Sequence, residues 1–474
     1  MSRVIAVDLD ETLVKTDLLL EGVWRVARGH PLMIFKLISL LLDSKLALKA
    51  EVAFLAPLDA AKLPFNQELI DFLKTSKSNG DVIVLATASD ETYAQAIQGH
   101  LKLFDFVYGS SPENGNLKGR TKSDLLVEHF PDQGFTYVGD SLSDIPIWDS
   151  ANEVIFAGKS RRTQRAVAKR YENHTVILAK PTDASDWFNQ LRIRQWTKNL
   201  LVFLPLLLAM TWSQDKVFSG LAAFLAFGFV ASSSYIFNDL SDIEADRSHP
   251  EKRRRPLARG AISIPAAFSW MVALAAFGWA IALLSASSYF LLFLALYAVL
   301  NSSYSLFLKR VEVIDVVVLS ILYLLRIVAG GVATSTLVSH WLMVFAFFVF
   351  LGLGLLKRYS ELILNSYLGT DTNMEAWRGY RDQDTFIVGA LGVGFGVLSA
   401  GMLALYIDQT VQGSGVILWL LVPLWSLWIM RAWLLAHRGL MPSDPVEYAV
   451  RNPYSLAIML ALAAVFYASN LFAL

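Results

Sequence analysis

The chain has 474 residues, 55% of them hydrophobic and 17% charged, which is too apolar for a soluble globule throughout, so part of it is expected in lipid. Forty-one basic side chains balance forty-one acidic ones, which argues against a nucleic-acid binder relying on bulk positive potential. With no cysteine, disulfides, thiolate metal sites, iron–sulfur clusters and cysteine nucleophiles are excluded.

The zero balance hides a partition. Residues 1–190 hold 21 basic and 25 acidic side chains, and residues 191–474 hold 20 and 16, about half the density. The N-terminus, MSRVIAVDLDETL, reads as a strand and a polar loop without the apolar core of a cleavable signal. Apolar, β-branched runs at 3–9, 81–87 and 135–139 each lead into a polar loop, as buried parallel strands do. Helical patterns follow at 66–78 and 90–101. The expectation is a doubly wound α/β domain over residues 1–185, with chemistry at the carboxyl ends of its strands.

Asp8, Asp10 and Thr12 close the first strand. Two carboxylates flanking one extended residue suit phosphoryl transfer, one attacking phosphorus and the other moving protons. Asp140 and Asp144, after a third strand, are candidates to hold Mg²⁺. Lys122 or Lys118 can neutralise phosphate oxygens, and Thr87 offers a hydroxyl. In order, DLDETL, VLAT, NLKGRTK and GDSLSD resemble the four motifs of the haloacid dehalogenase phosphatase superfamily. The resemblance implies Asp8 as nucleophile, Asp10 as general acid/base, Asp140 as magnesium ligand grouped with Asp8 and Asp10, Asp144 in support, Thr87 on phosphate and Lys122 as the motif lysine. Residues 18–56 read as a helical cap, since PLMIFKLISLLL at 31–42 is shorter than the roughly 20 residues a span requires.

After a connection and interfacial segment at 186–198, hydrophobic stretches predict an all-α polytopic membrane domain over 199–474. Nine transmembrane helices are expected near 199–213, 218–238, 262–284, 288–307, 314–335, 340–362, 385–407, 414–435 and 454–472. Under that count eighteen basic residues, from Arg192 to Arg451 and including Arg378, fall on one side and Lys216 alone on the other. The positive-inside rule then places the α/β domain in the cytoplasm and the C-terminus across a plasma or inner membrane.

The second span ends in YIFNDLSDIEADRSHPEKRRRPLARG, residues 235–260. Asp239, Asp242 and Asp246 share one helical face beside Asn238. Carboxylates so placed at a membrane-embedded helix end imply Mg²⁺ and, through it, a pyrophosphate, with Arg247, Lys252, Arg253, Arg254, Arg255 and Arg259 as phosphate donors. Asp315 and Arg326 sit eleven residues apart on one face of span 5, Arg326 being the deepest basic residue. Tyr304 and Lys309 close span 4.

NDxxDxxxD and the span count resemble the UbiA superfamily of intramembrane prenyltransferases, over residues 190–474. The resemblance implies that Asn238, Asp239, Asp242 and Asp246 coordinate magnesium and diphosphate. Where aromatic-acceptor members carry a second acidic cluster, this chain has Lys357, Arg358, Glu361, Arg378 and Arg381. That departure, with RIRQWTKNLLVFLPLL, HPEKRRRP and DPVEYAVRNP, resembles the decaprenyl-phosphate phosphoribosyltransferase branch. It implies transfer of 5-phosphoribose from phosphoribosyl pyrophosphate to a polyprenyl phosphate or other isoprenoid lipid, with Lys198, Arg254, Arg255, Lys357, Arg358 and Arg381 as phosphate ligands. Sequential removal of the ribose 5-phosphate by the fused domain follows as a hypothesis. The alternative is transfer of a prenyl group from prenyl diphosphate to an aromatic or other acceptor, beside a regulatory or independent phosphatase domain.

Overall fold

The computed structural model describes residues 2–177, 182–249, 251–285, 288–368, 379–410, 415–442 and 445–472. By packing, the chain divides into two compact units, Met1–Arg192 with Tyr235–Val272, and Ile193–Ser234 with Ala273–Leu474.

The first unit is built on a six-stranded parallel sheet: β1 (Val4–Val7), β2 (Val82–Asp90), β3 (Phe106–Ser110), β4 (Thr136–Gly139), β5 (Glu153–Phe156) and β6 (His174–Val176). Their order is β3-β2-β1-β4-β5-β6. The three strands expected from the apolar runs are β1, β2 and β4. β3, β5 and β6 are short, and β3 and β6 are only partly buried, so their hydrophobic pattern is weak. Ile5 and Val7 enter one core with Leu85 and Val138, while Val4 and Ala6 enter another with Tyr137 and Trp148. A sheet buried on both faces is why β1 reads as an unbroken apolar run. Connectivity reverses between β1 and β4, so the loops after these two strands face one crevice.

After β1 come α1 (Leu18–Gly29), α2 (Met33–Asp43) and α3 (Lys45–Leu55), and α4 (Gln67–Ser78) then leads to β2. Asp17 caps α1 by accepting the Leu20 N–H, and Ser44 caps α3 through Ala47 N–H. α2 leaves Phe35, Leu41 and Leu42 exposed and packs one face against Val26, Leu48 and Val52. The remaining helices of this part are α5 (Glu91–Leu101), α6 (Arg120–His129), α7 (Ile145–Trp148), α8 (Arg161–Arg170) and α9 (Ala184–Gln190).

Beyond residue 192 the chain is helical. A 3₁₀ stretch, Ile193–Phe203, passes into α10 (Leu204–Ala209), followed by α11 (Gln214–Ser241), α12 (Ile243–Ser248), α13 (Ile264–Ser285), α14 (Ser288–Leu306), α15 (Ile314–Ala333), α16 (His340–Leu368), α17 (Thr385–Thr410), α18 (Leu421–His437), α19 (Pro445–Arg451) and α20 (Pro453–Phe472). Among the described residues seven helices are long and apolar enough to cross a membrane, against nine expected. The stretch at 199–213 forms no such helix: Pro205 allows a helix to begin but not to run through it, and Met210 ends α10 in the left-handed conformation. In α20 the apolar stretch, Pro453–Ser469, is too short for that group.

In the second unit, close helix contacts depend on small residues. A Cβ on Gly330 of α15 would lie 2.0 Å from the Val202 carbonyl oxygen, and one on Gly352 of α16 would lie 3.4 Å from the Gly392 oxygen of α17.

Candidate functional site

Two groups of the expected residues come together in the first unit. At the β1/β4 crevice, carboxylate oxygens of Asp8, Asp140 and Asp144 all lie within 4.8 Å of one another, the one such acidic group among the described residues. Lys122, 2% exposed, donates to Asp8 Oδ1 at 2.9 Å and to the Tyr137 hydroxyl at 2.9 Å. It comes from α6, the helix after Gly119. Lys118 makes no such bond to Asp8. Thr12 Oγ1 donates to Asp140 Oδ1 at 3.2 Å. Asp144 is drawn back by the N–H groups of Asp140 and Ser141, at 3.2 and 3.0 Å.

Asp10, which the sequence groups with the metal, has its side chain outside this trio. Its Oδ1 accepts the Leu18 N–H at 2.8 Å and its Oδ2 accepts the Ser89 hydroxyl at 2.6 Å. Thr87 is fully buried, and its Oγ1 accepts the Ser89 N–H at 3.0 Å. Burial, then the Asp17 charge, pushes Asp10 up to about 7, which suits a group that donates a proton near neutrality. Burial, then Asp144 and Asp8, pushes Asp140 up to about 8, and burial with Asp8 pushes Asp144 up to about 6. Three crowded oxygen donors, two of them, Asp140 and Asp144, with their charged forms disfavoured, fit a hard divalent cation.

Sequence reasoning missed two contributors to this site. Ser89 orients Asp10, and Lys49 of α3 donates to the Ala88 carbonyl and, at 2.6 Å, to Asn116 Oδ1. Ser89 follows Thr87 at the spacing that keeps both on one strand face, a signal that was available. Lys49 is brought in by the fold of the insertion alone.

The second group lies at the end of α11. The helix stops at Ser241, Asp242 takes non-helical angles, and α12 begins, so the single helix assumed for Asp239, Asp242 and Asp246 is broken between them. Asp239 and Asp246 are 3% and 2% exposed. Arg255 Nη1 bridges them, 3.1 Å from Asp239 Oδ1 and 2.6 Å from Asp246 Oδ2. Arg192 also donates to Asp239 Oδ1, and Gln190 Nε2 donates to Asp239 Oδ2 at 3.0 Å. The buried Gln190 Oε1 and Ser241 Oγ have no hydrogen-bond partner. Burial pushes Asp246 up to about 6, with Arg255 acting against it. Hard oxygen donors, an orphaned amide oxygen and a guanidinium already drawn between two carboxylates fit a divalent cation with an anionic ligand. Asn238 and Asp242 adjoin the pair in sequence.

Arginines expected around phosphate divide into different roles. Arg247 is spent on Glu21 and the Ala258 carbonyl, and Arg259 on Asp186. Arg254 is exposed in a 3₁₀ turn, Lys252–Arg254. Gln190 and Arg192 were not singled out for this site, because they precede it by almost fifty residues.

The remaining candidates lie in the second unit. Arg358 is 1% exposed and donates to Asp315 Oδ2 at 2.6 Å and Glu361 Oε2 at 2.5 Å. Tyr380 completes the group with a 2.8 Å bond to Asp315 Oδ1, and Arg358 Nη2 is buried without a partner. Asp315 therefore meets Arg358, not Arg326. Arg326 donates to Asn199 Oδ1, the Leu322 carbonyl and the Tyr297 hydroxyl at 2.9, 2.7 and 2.9 Å. Lys198 lies 5.9 Å from the centre of the Tyr323 ring. Tyr304 is half-buried near the end of α14, Lys309 lies in the turn that follows, Lys357 is half-buried on α16, and Arg381 is exposed before a turn at Asp382–Asp384. Arg378 lies outside the described residues.

A family model described as the UbiA prenyltransferase family matches residues 202–443. An uncharacterised Sinorhizobium fredii protein, y4nM, is 35% identical over 97% of this chain and 89% of its own length. Decaprenyl-phosphate phosphoribosyltransferase of Corynebacterium glutamicum is 35% identical over 39% of this chain, which spans 57% of that protein. Among solved structures, a UbiA homolog from Archaeoglobus fulgidus bound to GPP and Mg²⁺ is similar at 17% identity, covering 60% of this chain and 99% of that chain with a TM-score of 0.45.

Proposed function

The chain belongs to the UbiA prenyltransferase family and is an integral membrane enzyme, and from that premise we propose that it moves 5-phosphoribose from phosphoribosyl pyrophosphate to a polyprenyl phosphate. The observation that carries this reading is the buried Asp239 and Asp246 held with Arg192 and Arg255 at the end of an apolar helix, a setting built for a polyphosphate and its counterion. The relative named as a decaprenyl-phosphate phosphoribosyltransferase supports the choice of substrate. Asp239, Asp242 and Asp246 would hold Mg²⁺, which when bound neutralises the pyrophosphate leaving group. Arg192 and Arg255 balance the charge of Asp239 and Asp246 and offer N–H donors to phosphate oxygens. Asn238 and Gln190 supply amide contacts beside them. In the second unit, Lys198, Lys357 and Arg381, with Tyr304 and Lys309, are proposed to meet lipid phosphate. Arg358, tied to Asp315 and Glu361, keeps one nitrogen for an acceptor.

The α/β domain, residues 1–185, is proposed as a phosphatase of the haloacid dehalogenase type with residues 18–56 as its cap, acting on the ribose 5-phosphate of the lipid product from the same, cytoplasmic, membrane face. Asp8 attacks phosphorus as the bond to the sugar oxygen breaks, Asp10 gives its proton to that departing oxygen, and a water that Asp10 then deprotonates hydrolyses the acyl phosphate on Asp8, releasing phosphate and restoring the carboxylate. Lys122 balances charge at Asp8, Thr87 faces a phosphate oxygen, and Asp8, Asp140 and Asp144 would hold Mg²⁺.

Membranes supplied with phosphoribosyl pyrophosphate and polyprenyl phosphate test both steps, with lipid products read by mass spectrometry. Wild type should yield a ribosylated lipid phosphate, Asp8→Asn should accumulate its 5-phosphorylated form, and Asp242→Asn should yield neither. Turnover of a prenyl diphosphate with a phenol, independent of ribose, would instead establish the family's named chemistry as this chain's reaction. Identical products from wild type and Asp8→Asn would refute sequential action.

A further inference from the structure

Helix α1 touches both candidate sites of the first unit. At its start, the Leu18 N–H donates to Asp10 Oδ1 at 2.8 Å. One turn on, Glu21 is 2% exposed and accepts the Thr16 hydroxyl at 3.2 Å. It also takes both arms of Arg247, Nη1 to Oε1 at 2.7 Å and Nη2 to Oε2 at 3.0 Å. Arg247 follows Asp246 directly, and its Nε is fixed by the Ala258 carbonyl at 3.0 Å.

The rest of α1 grips the same corner. Trp24 Nε1 donates to the Leu240 carbonyl at 2.9 Å, Arg28 to the Ser241 carbonyl, and Arg25 pairs with Glu244 at 3.0 Å. Leu240 and Ser241 end α11, where carbonyls lack helical partners, and the two carbonyls lie between Asp239 and Asp242. A second tie runs through Gly260, at φ 70°, where any Cβ would meet the Lys15 oxygen at 2.5 Å and where Lys159 donates to both carbonyls. The turn between Asp239 and Asp246 is thus held from the outside by α1, a rod of about 18 Å.

We propose that Glu21, through Arg247, is a positioning residue for the carboxylate site at Asp239–Asp246, so that donor binding depends on α1. A bidentate buried carboxylate fixes a guanidinium in one orientation, and with it the backbone next to Asp246. Losing it leaves a buried charge unpaired and the turn free to relax. The inference rests on the reading of Asp239–Asp246 as a magnesium–pyrophosphate site, and the test separates the two.

The probe is inorganic pyrophosphate with Mg²⁺, titrated calorimetrically into the full chain in detergent, with thermal unfolding measured in parallel. Wild type should bind with an affinity that Glu21→Ala weakens tenfold or more and that Glu21→Asp largely restores. Glu51→Gln, which breaks the more exposed Lys36–Glu51 pair on the same insertion, should match wild type. Should Glu21→Ala not fold, Glu21→Gln, which keeps the volume and one acceptor, should bind severalfold more weakly. Wild-type affinity in folded Glu21→Ala or Glu21→Gln, whatever the loss of thermal stability, would overturn the positioning role alone. A wild type that binds no pyrophosphate would overturn the site reading as well.

Discussion

Asp140 illustrates how a site residue sets conditions that no motif states. Its carboxyl is pushed up to about 8 by burial and by Asp144 and Asp8, against an ordinary value near 4. Between those values the metal-free folded chain holds a proton that the unfolded chain has lost, so this group makes stability fall as pH rises. In EDTA, thermal stability should therefore decline from pH 5 to 8, by at most about 1.4 kcal/mol per unit from this residue. Added Mg²⁺ should flatten the slope, and Asp140→Asn should remove this contribution. A slope unchanged by Asp140→Asn in EDTA would show that other groups set it. The spacing of Asp8, Asp10, Asp140 and Asp144 was readable in sequence. Their division was not, because the hydrogen bond that turns Asp10 toward Ser89 and the approach of Asp8 to Asp140 arise only when β1, β2 and β4 lie side by side.

Among the elements, helix type and contact partner are decided by backbone and packing more than by hydropathy. Residues 199–213 are apolar, yet Pro205 and the left-handed Met210 divide them. In the same stretch Val202 presents its carbonyl to Gly330 of α15, with space for a hydrogen but not a methyl. Gly330→Ala should force the two apart and destabilise the protein by about 1–3 kcal/mol, as overpacking does. At Gly401 of α17 a Cβ meets nothing within 4 Å, so Gly401→Ala should be neutral or stabilise by up to about 1 kcal/mol. Melting temperatures in detergent distinguish these outcomes, and equal shifts would show that the Val202 contact yields easily. Asp315 was readable as sharing one face of span 5 with Arg326, but a residue eleven positions away on one helix is about 16 Å off. Its partner, Arg358, comes from another helix.

For the whole molecule, packing cuts across the hydropathy boundary. Residues 235–272 lie in the stretch read as membrane domain, yet they pack with residues 1–192 through Glu21–Arg247, Trp24 and the Gly260 contact. If charge bias sets orientation as proposed, the end of α11 near Lys216 and the segment after Asp246 face opposite sides. A chain with no cysteine allows a direct check: an impermeant thiol reagent on intact cells should label Ser213→Cys, whereas Ser248→Cys should react only after permeabilisation. Both positions are exposed. The reverse pattern would invert the orientation and place both phosphate sites outside.

The sequence by itself determined that an α/β domain is joined to a helical membrane region and which carboxylates stand at the strand and helix ends, because burial period and charge spacing are local properties of a chain. Only the tertiary structure decided that Arg255 joins Asp239 to Asp246, that Arg358 answers Asp315, and that α1 holds the turn at Asp242. Those partners are separated by up to more than two hundred residues. An ion pair is selected by distance and desolvation, and both exist only after the elements have packed.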